Sequence, residues 1–300
     1  MDNLSILYQA PELALQLAID GLLIGSMFAL AAYGMALVWG VMNIINIAQG
    51  EYVTLGGFVA VYTAQAGFDP ILVGVPLAAL LLFILGVGSY RLVIFRLVDR
   101  DLFVSLLATF GISIFLQQIM NEIFGADIRT AESGMSSVVL MDGAIVIGSV
   151  KIMAFVATLV AGALLYIFLK HSKLGQAIRA TSQDARAARI LGVHTDRIYA
   201  TTYGLNAAIC GAVGALVAMT WFIHPFAGLP YTVRSFMVVI VAGLGNLLGV
   251  IGAAFGLGVA ENYAGFILGA EYQNAFVFMA LVAILVWRNF RLARKRLYLK

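Results

Sequence analysis

Asn43, Asn46, Gln49, Glu51 and Thr54 gather five polar side chains into one otherwise apolar stretch. Amides, a carboxyl and a hydroxyl can exchange hydrogen bonds with a polar solute. They can equally bond neighbouring helices. The stretch carries Gly50, Gly56 and Gly57, so an unwound helix is expected there. A sixth candidate, Asn246, lies in a second interrupted segment, beside Gly243, Gly245 and Gly249. Two glycine-broken hydrophobic segments, one in each half of a chain, point to a translocation path. Other polar residues read differently. Gln117, Gln118, Asn121 and Glu122 are expected at an interface, and Glu261 and Asn262 near the outer third of a span, in a structural role. Asp20 is placed near a membrane face and His224 in a solvated loop. Asn206 fits either a path or a helix contact.

Other chemistry finds no support. No nucleophile–base arrangement is visible, and the three histidines lack metal-site spacing. Cys210 is the only cysteine, which rules out an internal disulfide. None of the five lysines follows a glycine, so the Gly-Lys step of a P-loop is missing. The chain is therefore expected to bind no cofactor and to hydrolyse no ATP by that route. Its sparse basic residues argue against nucleic acid. The start of the chain has no basic region before its first apolar run, so a cleaved signal peptide is not expected.

The elements that must carry these residues are helices in a bilayer. The 300 residues are 62% hydrophobic and 11% charged, with mean hydropathy +0.99. Soluble domains are nearer half apolar and a quarter charged. Long uncharged or nearly uncharged stretches recur at 21–50, 52–68, 70–90, 103–121, 152–169, 198–221, 235–260 and 272–287. None alternates like a membrane strand, so an all-α integral membrane protein is expected. It should be a bundle of about eight transmembrane helices with broken or re-entrant segments. The stretch 41–66 fits either a full span or a re-entrant one. Three crossings are expected after Trp221. Glycines suit close helix contact in lipid; Gly21-x-x-x-Gly25 and Gly252-x-x-x-Gly256 are examples.

Basic residues crowd a loop at 170–197 and a tail at 288–300. By the positive-inside rule both lie in the cytoplasm. The 125–150 and 222–233 loops then face the other side. Within the basic loop, Thr181-Ser-Gln-Asp184 has the spacing of a capping box, and Gly192 suits a left-handed helix end. A short helix over about 182–191 is expected. Ala185 and Ala188 would share a small apolar face, suited to insertion into a partner's groove.

The stretch Arg186-Ala-Ala-Arg-Ile-Leu-Gly192 resembles the coupling loop of ATP-binding-cassette importer permeases, with Arg186 in place of that family's glutamate. Asn46-Ile-Ala-Gln-Gly-Glu51 with Leu55-Gly-Gly57, Gly175-x-x-x-Arg179-Ala180, and Val241-Ala-Gly-Leu-Gly-Asn246 with Gly249 and Gly252 resemble branched-chain amino acid permeases of the LivH type. The likeness runs along essentially the whole chain. It implies a single transmembrane permease domain, 1–300, in a bacterial inner membrane, multi-pass. Asp184, Ala185, Arg186, Ala187, Ala188, Arg189, Leu191 and Gly192 would couple to an ATPase. Implied partners are a LivM-like second permease, two ATPase subunits holding ATP and magnesium, and a periplasmic binding protein. Substrates would be branched-chain or related amino acids. Urea, short amides or small carboxylates stay open, as does a self-sufficient secondary transporter.

Overall fold

The computed structural model describes residues 3–98, 100–140, 145–243 and 245–297. Twelve helices and one hairpin follow in order. They are α1 (Asn3–Gln9), α2 (Pro11–Met42), α3 (Gln49–Gln65), α4 (Val75–Leu92), α5 (Leu102–Phe124), the strands β1 (Val138–Leu140) and β2 (Ile145–Ile147), α6 (Ser149–His171), α7 (Lys173–Gln183), α8 (Ala185–Ile190), α9 (Thr195–Thr220), α10 (Gly228–Ala242), α11 (Leu247–Leu268) and α12 (Gln273–Leu297). A π-turn, Pro70–Gly74, leads into α4. Residues 298–300 of the basic tail lie outside the described residues, as does Leu244 of the second interrupted segment.

Seven segments among the described residues are long and apolar enough to cross a membrane. They contain α2, α4, α5, α6, α9, α11 and α12. The other two apolar helices are short. At about 1.5 Å per residue, α3 and α10 reach about 25 and 22 Å, less than the ~30 Å hydrocarbon core. Each continues an irregular stretch, 43–48 before α3 and 221–227 before α10. The stretch 41–66 is thus broken at 43–48 and resumes as the short helix α3. The sequence's "about eight" compares with seven segments of spanning length and two shorter apolar helices among the described residues, α10, α11 and α12 following Trp221.

Helices α2 and α9 form the centre. Their most apolar windows are 89% and 72% buried, against 6% for the last helix. Packing on every side explains why α2 is apolar all round, with no polar stripe. The α2–α11 seam is close because it is made of glycine. A side chain at Gly21 would sit 2.6 Å from the backbone of Val259, and one at Gly25 2.6 Å from the Ala254 carbonyl oxygen. Gly258 answers from α11. The motif at Gly252 and Gly256 does no such work: both positions face open space.

The bundle has two distinct ends. At one, Arg129 and Ile223 exchange backbone hydrogen bonds of 2.9 and 2.7 Å, which joins the 125–150 and 222–233 loops as charge placement predicted. Gln16 at the start of α2 bonds the hairpin at Val146 there. At the other end lie α7, α8 and the last turns of α2, where Ala36 to Val41 face Ile178 and Arg179.

Candidate functional site

The two short apolar helices meet inside the bundle. The chain leaves α2 at Asn43, which is left-handed (φ 52°, ψ 36°), a conformation Asn tolerates better than most residues. It returns through 44–48 and resumes as α3. From the opposite end, 221–227 descends and resumes as α10. The N-termini of α3 and α10 touch backbone to backbone: a Cβ on Gly50 would lie 1.8 Å from the Gly228 carbonyl oxygen.

Irregular backbone at membrane depth needs internal partners. Two threonines supply them. Thr109 on α5 donates to the Ile45 carbonyl (3.0 Å) and accepts from the Ile47 N–H (3.2 Å). Thr232 on α10 donates to the Ile47 carbonyl (2.9 Å) and accepts from the Gly50 N–H (2.8 Å). Each hydroxyl thus serves two backbone groups. Thr109→Val and Thr232→Val keep shape and strip both bonds. Each should destabilise the protein by about 1–3 kcal/mol, the cost of leaving buried polar groups unpaired. The check is the thermal unfolding midpoint in detergent, with Thr201→Val as the control, at a half-buried site on α9 where the hydroxyl bonds only the Arg197 carbonyl of its own helix.

Glu51 lies in the first turn of α3 and is fully buried. Its Oε1 accepts from Ser113 Oγ (3.0 Å) and Gln117 Nε2 (2.8 Å). A Cβ on Gly228 would come within 2.5 Å of its carboxyl atoms. The carboxyl therefore sits at the N-termini of two helices at once. The positive ends of both macrodipoles favour a negative group there. That is a physical reason for a lone acidic residue in this place. Gln49 Nε2 donates to the Ala31 carbonyl (2.9 Å), tying α3 to the middle of α2. Thr54 turns back onto its own helix, donating to Gly50 (3.1 Å). Asn46 lies beside Tyr203, with neither amide atom in hydrogen-bond geometry. Gln49 Oε1 and Glu51 Oε2 are also without partners. Asn46, Gln49, Glu51 and Thr54 are all closed off from solvent. The cluster's bonds tie α3 to α2 and α5.

Two candidates stand apart from it. Asn43 is exposed and closes α2. Asn246 is also exposed and caps α11, accepting from the Gly249 N–H (3.0 Å). Two other residues, Gln117 and Arg234, also belong to the polar system inside the bundle. Gln117 is bonded to Glu51 rather than lying at an interface. Its signal was a stripe: Ser105, Thr109, Ser113 and Gln117 recur every fourth residue along one face of an apolar helix. Arg234 carries no local signal in the sequence. It is 9% exposed and binds Glu261, which is 5% exposed, through Nε at 3.0 and 3.1 Å and also through Nη2. Arg234 Nη2 also donates to Asn274 (2.9 Å). The Arg234–Glu261 pair thus joins Glu51 as buried charge within the helices of the bundle.

The basic loop differs in detail from its expected form. There is no capping box at Thr181, whose hydroxyl is buried without a partner. Helix α7 runs on to Gln183, and Asp184 is itself the cap of α8, accepting from the N–H groups of Arg186 and Ala187 at 2.9 Å. Asp is a strong N-cap, and its own extended conformation (φ −155°, ψ 102°) makes a corner between the helices. Gly192 ends the element at φ 86°, with Val193 N–H bonding the Ala188 carbonyl at 3.0 Å, as expected of a left-handed terminus. The alanine face points inward. Ala188 is 2% exposed and Ala185 packs on the core. The outward side carries Arg186, Ala187 and Arg189, followed by Ile190 and Leu191, which are 82% and 83% exposed.

Residues 17–285 match the family described as branched-chain amino acid transport system, permease component. The chain belongs to this permease family. Its similarity to known members is spread over the whole length. It is 29% identical to the high-affinity branched-chain amino acid transport system permease protein BraD of Pseudomonas aeruginosa, covering 91% of this chain and 94% of that one. It is 28% identical to the permease protein LivH of Escherichia coli, covering 91% and 92%. Among solved structures, PsaBC from Streptococcus pneumoniae in complex with Fab overlaps 89% of this chain and 88% of its own, with a TM-score of 0.48 and 10% identity. Family membership and the seven long apolar segments together make the permease a multi-pass membrane protein.

Proposed function

We propose that this permease is the membrane-spanning subunit of an ATP-driven importer and translocates branched-chain or related amino acids. Family membership supports the transport role, and the names of BraD and LivH support the solute class. The observation that carries the coupling is the corner at Asp184. It presents two large aliphatic side chains to solvent at the basic end of the bundle, and the chain lacks a P-loop lysine. An apolar tip held by a fixed cap suits a groove on a soluble ATPase subunit. Ala187, Ile190 and Leu191 enter the groove in this reading, with Arg186 and Arg189 at its rim. Ala185, Ala188 and Gly192 set the angle of the corner.

Positive-inside charge places this end, the 170–197 loop and the 288–300 tail in the cytoplasm of a bacterial inner membrane. ATP and magnesium then belong to the ATPase subunits. A binding protein delivers solute to the opposite end, where the 125–150 and 222–233 loops are joined. A second, LivM-like permease completes the complex. The test is uptake of labelled L-leucine into proteoliposomes holding the assembled complex. Uptake should require the ATPase subunits, ATP and the binding protein. Accumulation by this chain alone would overturn the reading in favour of a secondary transporter.

A further inference from the structure

A cavity of about 630 Å³ opens at the end of the bundle opposite the basic loop. That volume lies within the roughly 300–1,000 Å³ typical of ligand pockets. Its lining holds four charged side chains: Asp20, Lys151, Arg234 and Glu261. Lys151 Nζ meets Asp20 Oδ1 at 2.7 Å, both about one-fifth exposed. Arg234 and Glu261 form the deeper, buried pair. The four charges sum to zero. Between them stand aromatic walls, including Phe28 and Trp221.

We infer that this cavity is a binding site for a zwitterionic amino acid with an apolar side chain. The proposal rests on the amino acid importer reading and assigns a place to its solute. A neutral lining built from separated opposite charges matches a ligand that is itself neutral and strongly dipolar. Arg234 uses Nε and Nη2 on Glu261 and Asn274. Its Nη1 has no hydrogen-bond partner among the described residues, so a donor is left for a carboxylate. Lys151 has three N–H donors, and Asp20 takes one of them. Glu261 and Asp20 offer oxygens to an ammonium. Phe28 and Trp221 receive the aliphatic side chain, and Arg234 already lies over the Phe28 ring, 5.3 Å from its centre. An intramembrane Arg–Glu pair is costly to keep, and such residues usually mark a solute pathway.

Binding is read from Trp221 in the purified full-length chain carrying Trp39→Phe and Trp287→Phe. L-leucine should change its fluorescence. 4-Methylpentanoate lacks the ammonium and 3-methylbutylamine lacks the carboxylate, and each should bind at least ten-fold more weakly. In the assembled complex, Arg234→Met with Glu261→Leu removes both buried charges together, a replacement that need not cost stability. Leucine uptake should fall at least hundred-fold while the ATPase subunits still co-purify. Lys151→Gln, at the partly exposed rim, should weaken leucine binding about ten-fold and serves if the double variant misfolds. Equal response to all three ligands, or parental uptake by the double variant, overturns the site. Because fluorescence needs no ATPase, a complex that fails to couple would count against the importer reading and leave the site to be decided by Trp221.

Discussion

Gly50→Ala is expected to stop this permease from folding to its native state. The added methyl would sit 1.8 Å from the Gly228 carbonyl oxygen and 2.7 Å from Thr232 Oγ1. Overpacking a well-filled interior costs about 1–3 kcal/mol when side chains can shift. Here the obstacle is backbone, on a helix fixed by Thr232 and Glu51, so the cost should reach at least the top of that range. The variant should show little monodisperse protein in detergent. What survives should unfold at a clearly lower temperature. Gly252→Ala, at a position facing open space, is the matched control and should behave as the parent. A Gly50→Ala protein as stable as its parent would mean that the two helix tips do not meet.

The second large effect concerns coupling. Replacing Ile190 and Leu191 together by serine should leave folding untouched, because both are more than four-fifths exposed. Surface changes of this kind stay within about ±0.5 kcal/mol. If both side chains are buried on an ATPase subunit, each contributes up to about 1.5–3 kcal/mol of transfer free energy. At 1.4 kcal/mol per decade, a loss of about hundred-fold or more in affinity is expected. Co-purification with the ATPase and leucine uptake should fall together, with the unfolding temperature unchanged. Full ATPase binding by the double serine variant would remove the corner from the interface. Ala188→Trp is the less informative change, since that alanine is packed against its own chain.

The sequence carried the helix breaks only in part and the pairings badly. The chain does break at Asn43 and at Gly243, but Gly50, Gly56 and Gly57, where unwinding was expected, lie inside the continuous helix α3 and serve close packing instead, and the break at 221–227 carried no such signal. Composition together with the lack of alternating segments required helices, since only helices and closed barrels satisfy their backbone in lipid. The rest depends on contacts between distant parts of the chain. Arg234 and Glu261 are 27 positions apart, and neither signals the other. Glu51 has its partners on α5 and α10, remote in sequence, so nothing local announced them. At the corner, local rules competed: Thr181 and Asp184 fit a capping box, but Asp184 alone, followed by a good helix former, caps better. That choice shifted the start of the helix and turned Ala188 inward.

Helix α9 has a mechanical consequence. Arg189 Nε on α8 bonds Thr195 Oγ1, the first residue of α9, at 2.8 Å. From there 26 residues run without a proline to Thr220, about 39 Å, and the next residue, Trp221, lines the cavity at the far end. A shove delivered at the Asp184 corner would meet no joint before it reached the cavity wall. The rod is also gripped along its length by α2, α3 and α4, so it cannot slide alone. What travels would be a block of the subunit, turning as one piece about whatever it rests against.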